Sequence, residues 1–309
     1  MEHSFIAWIE EQLSVESIAP QVVLGVGDDG AILQGGLSKQ VLVADTIVEQ
    51  VHFELDLDRL DRIGHKSLAI NLSDIAAMGA EAESALVSLV LPRSFSLENA
   101  QELFRGILAC AQRHGVAIIG GDTICHDGPL MVSVSATGRI AEQACCPDGW
   151  RIDGARVNDL LLVTGSLGGS ILGHHLDFEA RLDVAAAIQS RVSIHAATDI
   201  SDSLSIDLSH LVRKSGVGAV LDCDQIPLSD AAVQLSKQSG ESALYHALSD
   251  GEDFELLLSI SRENYQQLEA DHDFGFPLNV IGRCVGEGVG EIKDARTGKP
   301  IEVRGYEHS

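Results

Sequence analysis

The sequence predicts two mixed α/β domains, and three observations carry this prediction. The chain has 309 residues, of which 45% are hydrophobic, and this is enough for about two cores at roughly 150 residues per domain. Apolar stretches of strand type alternate with longer stretches of helical periodicity in both halves. A loop-like segment, residues 145–154, contains Pro147, Gly149 and Gly154. We therefore expect one domain over residues 1–141 and a second over residues 142–309.

The predicted strands are short runs rich in aliphatic and β-branched residues. In residues 131–137, Val132, Val134 and Ala136 alternate with serines, which is typical of a strand with one buried face. The other candidates are apolar runs of strand length. They are residues 41–44, 85–91, 160–164, 219–221, 254–260 and 278–281.

The predicted helices carry apolar residues three and four positions apart. Such a stripe lies within residues 66–80 and stops at Gly79, a suitable residue just beyond a helix end. A second helix over residues 96–114 has Ser96 at its N-cap, where a serine side chain accepts a hydrogen bond from a backbone amide. In the second half, a stripe of leucines ends before Gly216. Both halves thus mix helices with strands.

The charge of the chain excludes two classes of partner. It has 21 basic and 46 acidic side chains and a formal net charge of −25, so its field repels both nucleic acid and anionic membrane surfaces. No apolar run approaches the roughly 20 residues that span a bilayer. The N-terminal segment carries glutamates where an export signal needs basic residues, and the six cysteines form no C-x-x-C pair. We expect a cytoplasmic protein that binds neither nucleic acid nor membrane.

A glycine-rich segment near the N-terminus could bind phosphate in two ways. Gly25, Gly27 and Gly30 spell G-x-G-x-x-G, a pattern shared with dinucleotide-binding loops. Backbone amides in those loops approach a pyrophosphate, which Asp28 and Asp29 would repel here. The residues that follow also break after one short turn instead of continuing as a helix. A divalent cation removes the repulsion, because Mg²⁺ binds carboxylate and phosphate oxygens together.

Aspartates recur beside predicted strand ends, glycine turns and helix starts. Each alone is an ordinary turn or N-cap residue, but their repeated placement beside apolar or small residues favours a shared cation. A Walker A loop is absent, so a nucleotide would be held largely through metal. Residues 165–170 could offer backbone amides to a phosphate, although a plain strand-to-helix turn fits at least as well. The candidate magnesium ligands are Asp29, Asp45, Asp74, Asp122, Asp199 and Asp202.

Short motifs follow one another in a fixed order along nearly the whole chain. The longest is KSLAINLSDIAAMGA at residues 66–80. The others are GVGDDG (25–30), DTIVEQVHF (45–53), GGDT (120–123), DISD (199–202), SGVGA (215–219), GEDFE (251–255) and GYEH (305–308). In this order they resemble the thiamine-monophosphate kinase family. The long motif and the ordered series are specific, whereas any short motif alone would be weak.

The resemblance implies an aminoimidazole-ribotide-synthetase-like fold, with an N-terminal α+β domain whose sheet pairs with that of a second subunit and a C-terminal α/β domain. It implies a homodimer that uses ATP and several Mg²⁺ ions to phosphorylate thiamine monophosphate. By position, all six candidate aspartates would bind metal, and Asp74, Asp122 and Asp202 would be catalytic. The residues implied to contact ATP are Gly121, Asp122, Ser201 and Arg151, and those implied to contact the thiamine substrate are His52, Glu252 and Tyr306.

The chemistry of this reaction suits an acidic protein that recruits cations. The acceptor phosphate has a second pKa of about 6, so near neutral pH it is mostly a dianion and needs no strong general base. The barrier is repulsion between two phosphorylated anions, which bound cations neutralise. Tyr306 offers a ring face to the cationic thiazolium, although packing at the C-terminus explains an aromatic residue there equally well.

Some positions depart from the family pattern and leave alternatives open. Residues 43–44 are apolar where hydroxyl side chains are usual, Ser203 replaces a glycine, and residues 124–125 replace a Thr-Arg pair. Arg151 is one residue out of register with a family arginine. One alternative is a related ATP-dependent enzyme with another acceptor, such as a ribotide amide, selenide or a carbamoyl group. The absence of any cysteine before Cys110 disfavours selenide. A non-catalytic nucleotide-binding homologue is the other alternative.

Overall fold

Two six-stranded sheets organise the part of the chain that the structure describes. This computed structural model describes residues 22–24, 28–35, 38–55, 59–271 and 274–305. Gly25, Gly27 and Tyr306 therefore lie outside the described residues. No helix in these ranges combines the length and the apolar character that a bilayer span requires.

The first sheet is covered on one face by two long helices. Its elements are β1 (Val22–Leu24), β2 (Ala31–Gly35), β3 (Ser38–Val48), α1 (Leu60–Ala77), β4 (Glu81–Pro92), α2 (Leu97–His114), β5 (Ala117–His126) and β6 (Met131–Arg139). The strand order is β1-β2-β3-β6-β4-β5, and only the β4–β5 pair is parallel. In β4 the side chains of Ala85, Val87, Leu89 and Leu91 are buried, whereas those between them are more open. Among the residues that the structure describes, this alternation leaves the face opposite the helices uncovered.

Close contact between α1 and α2 requires two glycines. A Cβ atom at Gly106 would lie 1.8 Å from the carbonyl oxygen of Asp61, and one at Gly64 would lie 2.0 Å from that of Leu103. Helix α1 also contacts β3 and β6 on one side and β8 (Ala196–Asp199) of the second sheet on the other. Because it is surrounded by protein, α1 is apolar or small over most of its circumference.

The second sheet has packed cores on both faces. The remaining elements are β7 (Leu160–Val163), α3 (His174–Asp177), α4 (Leu182–Gln189), α5 (Leu204–Lys214), β9 (Gly218–Leu221), α6 (Asp230–Ser239), α7 (Ala243–Ser249), β10 (Leu256–Ile260), α8 (Arg262–Ala270), β11 (Asn279–Val285) and β12 (Ile292–Asp294). The strand order is β12-β9-β11-β7-β10-β8, antiparallel except where β12 meets β9. Strands β7 and β10 are buried along their whole length, as expected for central strands covered on both sides.

Most predicted elements are confirmed, and several bounds were wrong. Helix α2 begins after Ser96, whose side chain accepts a hydrogen bond from the Asn99 amide, and it ends at a left-handed Gly115. Helix α1 begins six residues earlier than position 66 and ends at Ala77, because the first turns pack on α2. Several elements were not predicted from the sequence, namely strands β1, β2, β5, β8 and β12 and helices α3, α4, α6, α7 and α8. The domain division near residue 142 stays a prediction, and that position lies in the connection from β6 to β7.

Candidate active site

A cavity of about 570 Å³ lies between the domain of the first sheet and the domain of the second sheet. Residues of β3, the segment after it and α1 line one side of the cavity. The end of β8, the turn with Ser201 and Asp202, and residues 249–254 line the other side. The cavity brings together most of the predicted site residues that the structure describes. Those that line it are Asp45, His52, Asp74, Asp199, Ser201, Asp202 and Glu252.

Four aspartates from different parts of the fold lie close together and form what we call the acidic cluster: Asp29, Asp45, Asp74 and Asp199. Asp45 lies within β3, which corrects the prediction that it follows a strand, since pairing with β6 extends that strand to Val48. Asp74 is in the last turn of α1, and Asp199 is the final residue of β8. Asp29 lies in the bend before β2. A strand rather than a helix therefore follows Gly30, as the rejection of a dinucleotide-binding loop requires.

Hydroxyl groups hold two of these carboxylates in place. The Thr198 hydroxyl donates to Asp29 Oδ1 at 3.1 Å, and the Ser73 hydroxyl donates to Asp199 Oδ2 at 2.5 Å. Each bond joins a residue of one domain to a residue of the other. The orientation of the acidic cluster therefore depends on the contact between the domains.

Burial and like charge raise the pKa values of the cluster. Burial raises the pKa of Asp74 well above its usual range, and Asp45 and Asp199 add to this effect. Burial likewise raises the pKa of Asp29 well above its usual range, with Asp199 and Asp28 as further causes. The pKa of Asp199 is raised to about 7, mainly by burial. The pKa of Asp45 is also raised by burial, while a hydrogen bond from Asp74 partly offsets the effect. Carboxylates crowded in this way favour either a shared proton or a bound cation.

The cluster has unsatisfied oxygens that suit a hard cation. Asp29 Oδ2 and Asp45 Oδ2 are buried and accept no hydrogen bond in the described structure. Across the described ranges, no three carboxylate, imidazole or thiol side chains already converge as a complete metal cage. Mg²⁺ does not require one, because it commonly binds one or two carboxylates and takes waters and phosphate oxygens for the rest. The donor set therefore fits Mg²⁺ shared with a phosphate.

A further acidic residue, Asp207 of α5, supports the turn that carries Asp202. Its Oδ2 accepts from the backbone amides of Asp202 and Ser203 at 3.2 and 3.1 Å. Burial raises the pKa of Asp207 well above its usual range, and Asp202 and Asp199 add to this effect. Asp207 was not among the predicted site residues, although an acidic residue in the first turn of a helix is a recognisable signal for amide binding.

Two predicted residues, Gly121 and Asp122, lie apart from the cluster. Both are exposed on β5, the edge strand of the first sheet. Asp122 pairs with Ser88, which pairs with Ser133, which pairs with Thr46 beside Asp45. Three strand spacings correspond to about 14 Å. Within one chain, therefore, Asp122 does not reach the other carboxylates.

Arg151 is not among the residues that line the cavity. The Arg151 guanidinium forms a bidentate pair with Asp153 at 2.9 and 2.8 Å, and the neighbouring Ile152 amide donates to Asp28 at 3.0 Å. This places Arg151 beside the Asp28 loop, with its charge engaged by Asp153. Tyr306 lies outside the described residues, although Gly305 before it lines the cavity.

A lysine that was not a predicted site residue lies next to His52 and Glu252. Lys66 of α1 lies between these two residues and lines the same cavity. Glu252 has a left-handed backbone, with φ of 61°, and its amide donates to the Ser201 carbonyl at 2.6 Å. A non-glycine residue in this conformation is strained and is held only by its surroundings.

Comparison with known proteins assigns the chain to a family. Residues 27–140 match the N-terminal domain of AIR synthase related proteins, and residues 153–295 match the C-terminal domain. Thiamine-monophosphate kinase from Rhodopirellula baltica is 42% identical over 294 residues, which cover 93% of this chain and 90% of that protein. The chain belongs to the thiamine-monophosphate kinase family.

Solved structures of that family share the whole fold. The structure of AaThiL complexed with AMPPCP and TMP has a TM-score of 0.85 at 27% identity, covering 100% of this chain and 97% of that chain. Thiamine monophosphate kinase from Aquifex aeolicus has a TM-score of 0.80 at 25% identity, covering 96% and 97%. The prediction of two aminoimidazole-ribotide-synthetase-like domains is confirmed.

Proposed function

We propose that this chain transfers the γ-phosphoryl group of ATP to thiamine monophosphate and so forms thiamine diphosphate. The observation that carries the proposal is the interdomain cavity. In it, four aspartates (Asp45, Asp74, Asp199 and Asp202) meet next to His52 and Glu252. One part of the cavity suits phosphates with their cations, and another suits an organic acceptor. Family membership supports the same reaction. We also propose a cytoplasmic location, where ATP is supplied.

The proposed reaction makes modest demands on proton transfer. The acceptor oxygen belongs to a phosphate monoester that is largely ionised near neutral pH, so no strong general base is needed. Positioning and charge neutralisation are what the protein must provide. Mg²⁺, when bound, supplies the positive charge that lets the two phosphate groups approach. The residues proposed to hold it are Asp29, Asp45, Asp74, Asp199 and Asp202.

The neighbours of these aspartates are proposed to preorganise them. Ser73 and Thr198 fix one oxygen each of Asp199 and Asp29, so that the remaining oxygens face a defined direction. Asp207 holds the amides of the turn at Asp202, next to Ser201, which we propose as an ATP contact together with Arg151. Little side-chain movement is then needed when the nucleotide binds.

One part of the cavity, named here the acceptor wall, is proposed to receive the thiamine moiety. His52 and Glu252 line it, and Gly305 brings the chain to its edge immediately before Tyr306. Acidic side chains outnumber basic ones among the residues that line the cavity, which favours a positively charged thiazolium ring over a neutral acceptor. We therefore propose His52, Glu252 and Tyr306 as contacts of thiamine monophosphate.

A homodimer is proposed to complete the site with Asp122. The uncovered face of the first sheet exposes Leu42, Leu86 and Ile124, with 37%, 46% and 52% of their surface accessible. Packing of this face against the same face of a second copy would bury these side chains under twofold symmetry. It would also move Asp122 from an isolated edge strand to the site of the other copy. Gly121 and Asp122 are proposed to act there on ATP and its metal.

The family departures are compatible with activity. Ser203, which replaces a glycine, accepts a hydrogen bond from the Ile206 amide at 3.1 Å as the N-cap of α5. Its hydroxyl also donates to the Arg304 carbonyl at 2.7 Å. The serine therefore strengthens the turn that presents Asp202, which supports an active enzyme over a non-catalytic homologue.

The decisive experiment is an acceptor screen with purified protein, ATP and MgCl₂. Thiamine diphosphate, separated by chromatography, should form with thiamine monophosphate, and EDTA should abolish its formation. Turnover only with a ribotide amide or a carbamoyl donor would contradict the proposal. Binding of Mg-ATP in calorimetry without any product would indicate the non-catalytic alternative.

The dimer is tested by mixing two inactive variants. If Asp122 acts on the other copy's site, coexpressed Asp74→Asn and Asp122→Asn chains form mixed dimers with one intact site. Random assembly then restores about a quarter of wild-type activity. If isolated mixed dimers recover no activity, then Asp122 does not act in the site of the other copy.

A further inference from the structure

Lys66 is a lysine without solvent access in the wall of the cavity. Its relative exposure is 0%, although it lies on α1 within reach of the open space. An ammonium group in such a place is costly unless hydrogen-bonded or ionic partners compensate for lost hydration. The hydrogen-bond partners of Lys66 therefore indicate its role.

Those partners come from both domains. The Lys66 ammonium donates to the carbonyl oxygen of His52 at 3.0 Å and to Glu252 Oε1 at 2.5 Å. His52 follows β3 in the first domain, and Glu252 precedes β10 in the second. Helix α1, which is packed on both sides, thus provides a rigid base for a bond that spans the domain contact.

The position of Glu252 depends on contacts with other segments, because its own backbone conformation is energetically unfavourable. The left-handed conformation of Glu252, with φ of 61°, is strained, and Phe254 two residues later has φ of 50°. The side chain of Glu252 remains 30% exposed while it binds Lys66, so it can still contact a ligand in the cavity. Lys66 fixes the direction of this carboxylate and balances its charge.

We propose that Lys66 is the positioning residue of the acceptor wall, through which Glu252 and the His52 segment are held for the acceptor substrate. This rests on the proposed function and deepens it by assigning acceptor affinity to a residue outside the acidic cluster. The ammonium donates to Glu252 and to the His52 carbonyl, both of which belong to the acceptor wall. Its loss should weaken binding of thiamine monophosphate and leave the affinity for ATP unchanged.

The test compares Lys66→Met with the wild type in steady-state kinetics. Methionine keeps most of the volume and removes the charge, and the partly exposed Glu252 can regain water. A charge-assisted bond of ordinary strength predicts a KM for thiamine monophosphate at least about tenfold higher. The KM for ATP should stay within about twofold. Lys293→Met is the control, because that lysine also pairs with a glutamate, Glu291 at 3.0 Å, on β12 away from the cavity.

A double-mutant cycle tests whether Lys66 acts through Glu252. Glu252→Gln should raise the same KM, and adding Lys66→Met to it should raise the KM by less than about threefold more. Equal increases in both KM values, or a loss of thermal stability with unchanged KM for thiamine monophosphate, would overturn the proposal and leave a structural role. Multiplicative effects in the double variant would also overturn it. Failure of the proposed function appears separately, as a wild type that forms no thiamine diphosphate, and calorimetric binding of thiamine monophosphate to each variant then still tests Lys66.

Discussion

Replacement of Asp74 by asparagine should separate activity from stability. Asp74 keeps part of its surface open to the cavity, yet protein and three other aspartates surround it. Asparagine has nearly the same shape, so the change removes a charge without creating a cavity. The variant should lose at least about 10²-fold in turnover, which is typical when a key electrostatic group is removed.

The same substitution should make the metal-free protein more stable. Two carboxylates about 4 Å apart repel by about 4 kcal/mol at an effective dielectric constant of about 20. Partial exposure and the hydrogen bond between Asp74 and Asp45 reduce this, so we expect a gain of about 1–2 kcal/mol. For a chain of 309 residues, such a gain raises the Tm by about 2–3 °C.

Both effects can be measured on one preparation. Thiamine diphosphate formation gives turnover, and thermal unfolding in EDTA gives the stability of the metal-free state. Asp224→Asn is a suitable control, because Asp224 is exposed and its nearest cation, Arg296, is 3.7 Å away. A wild-type rate in Asp74→Asn would refute the role of Asp74, and a Tm lowered by several degrees would refute the repulsion argument.

Three further predictions concern stability. Ser73→Ala should lower the free energy of unfolding by about 1–3 kcal/mol in urea titrations, since it leaves a buried oxygen of Asp199 without its donor. Gly106→Ala should cost several kcal/mol because its Cβ would overlap the Asp61 carbonyl, whereas Gly115→Ala, with open space around it, should cost about 1 kcal/mol for its left-handed backbone. In EDTA, the free energy of unfolding should fall as pH rises through about 7. The raised pKa of Asp199 means that this carboxyl holds its proton more tightly in the folded state than in the unfolded chain. The stability gained from that proton is therefore complete only below the unfolded pKa of Asp199. A flat stability profile between about pH 5 and pH 8 would contradict this last prediction.

Local sequence signals were sufficient where neighbouring residues decide the structure. Helix α2 was predicted almost to the residue, because its N-cap, apolar stripe and terminal glycine all lie within the segment itself. Strand β5 was missed, because its GGDTICH sequence is polar and its side chains are exposed, so that neither alternation nor an apolar run marks it. Only its pairing with β4 makes it a strand.

The sequence by itself determined the type of side chain that the site uses: a set of aspartates in a family-specific order, whose oxygens suit a hard cation. The tertiary structure alone decided which of them meet. It joined Asp45, Asp74 and Asp199 across two domains and left Asp122 three strands away. It also supplied their partners, including the Ser73 hydroxyl and the Lys66 ammonium. These contacts join residues more than a hundred positions apart, and no local preference of the chain encodes such distances.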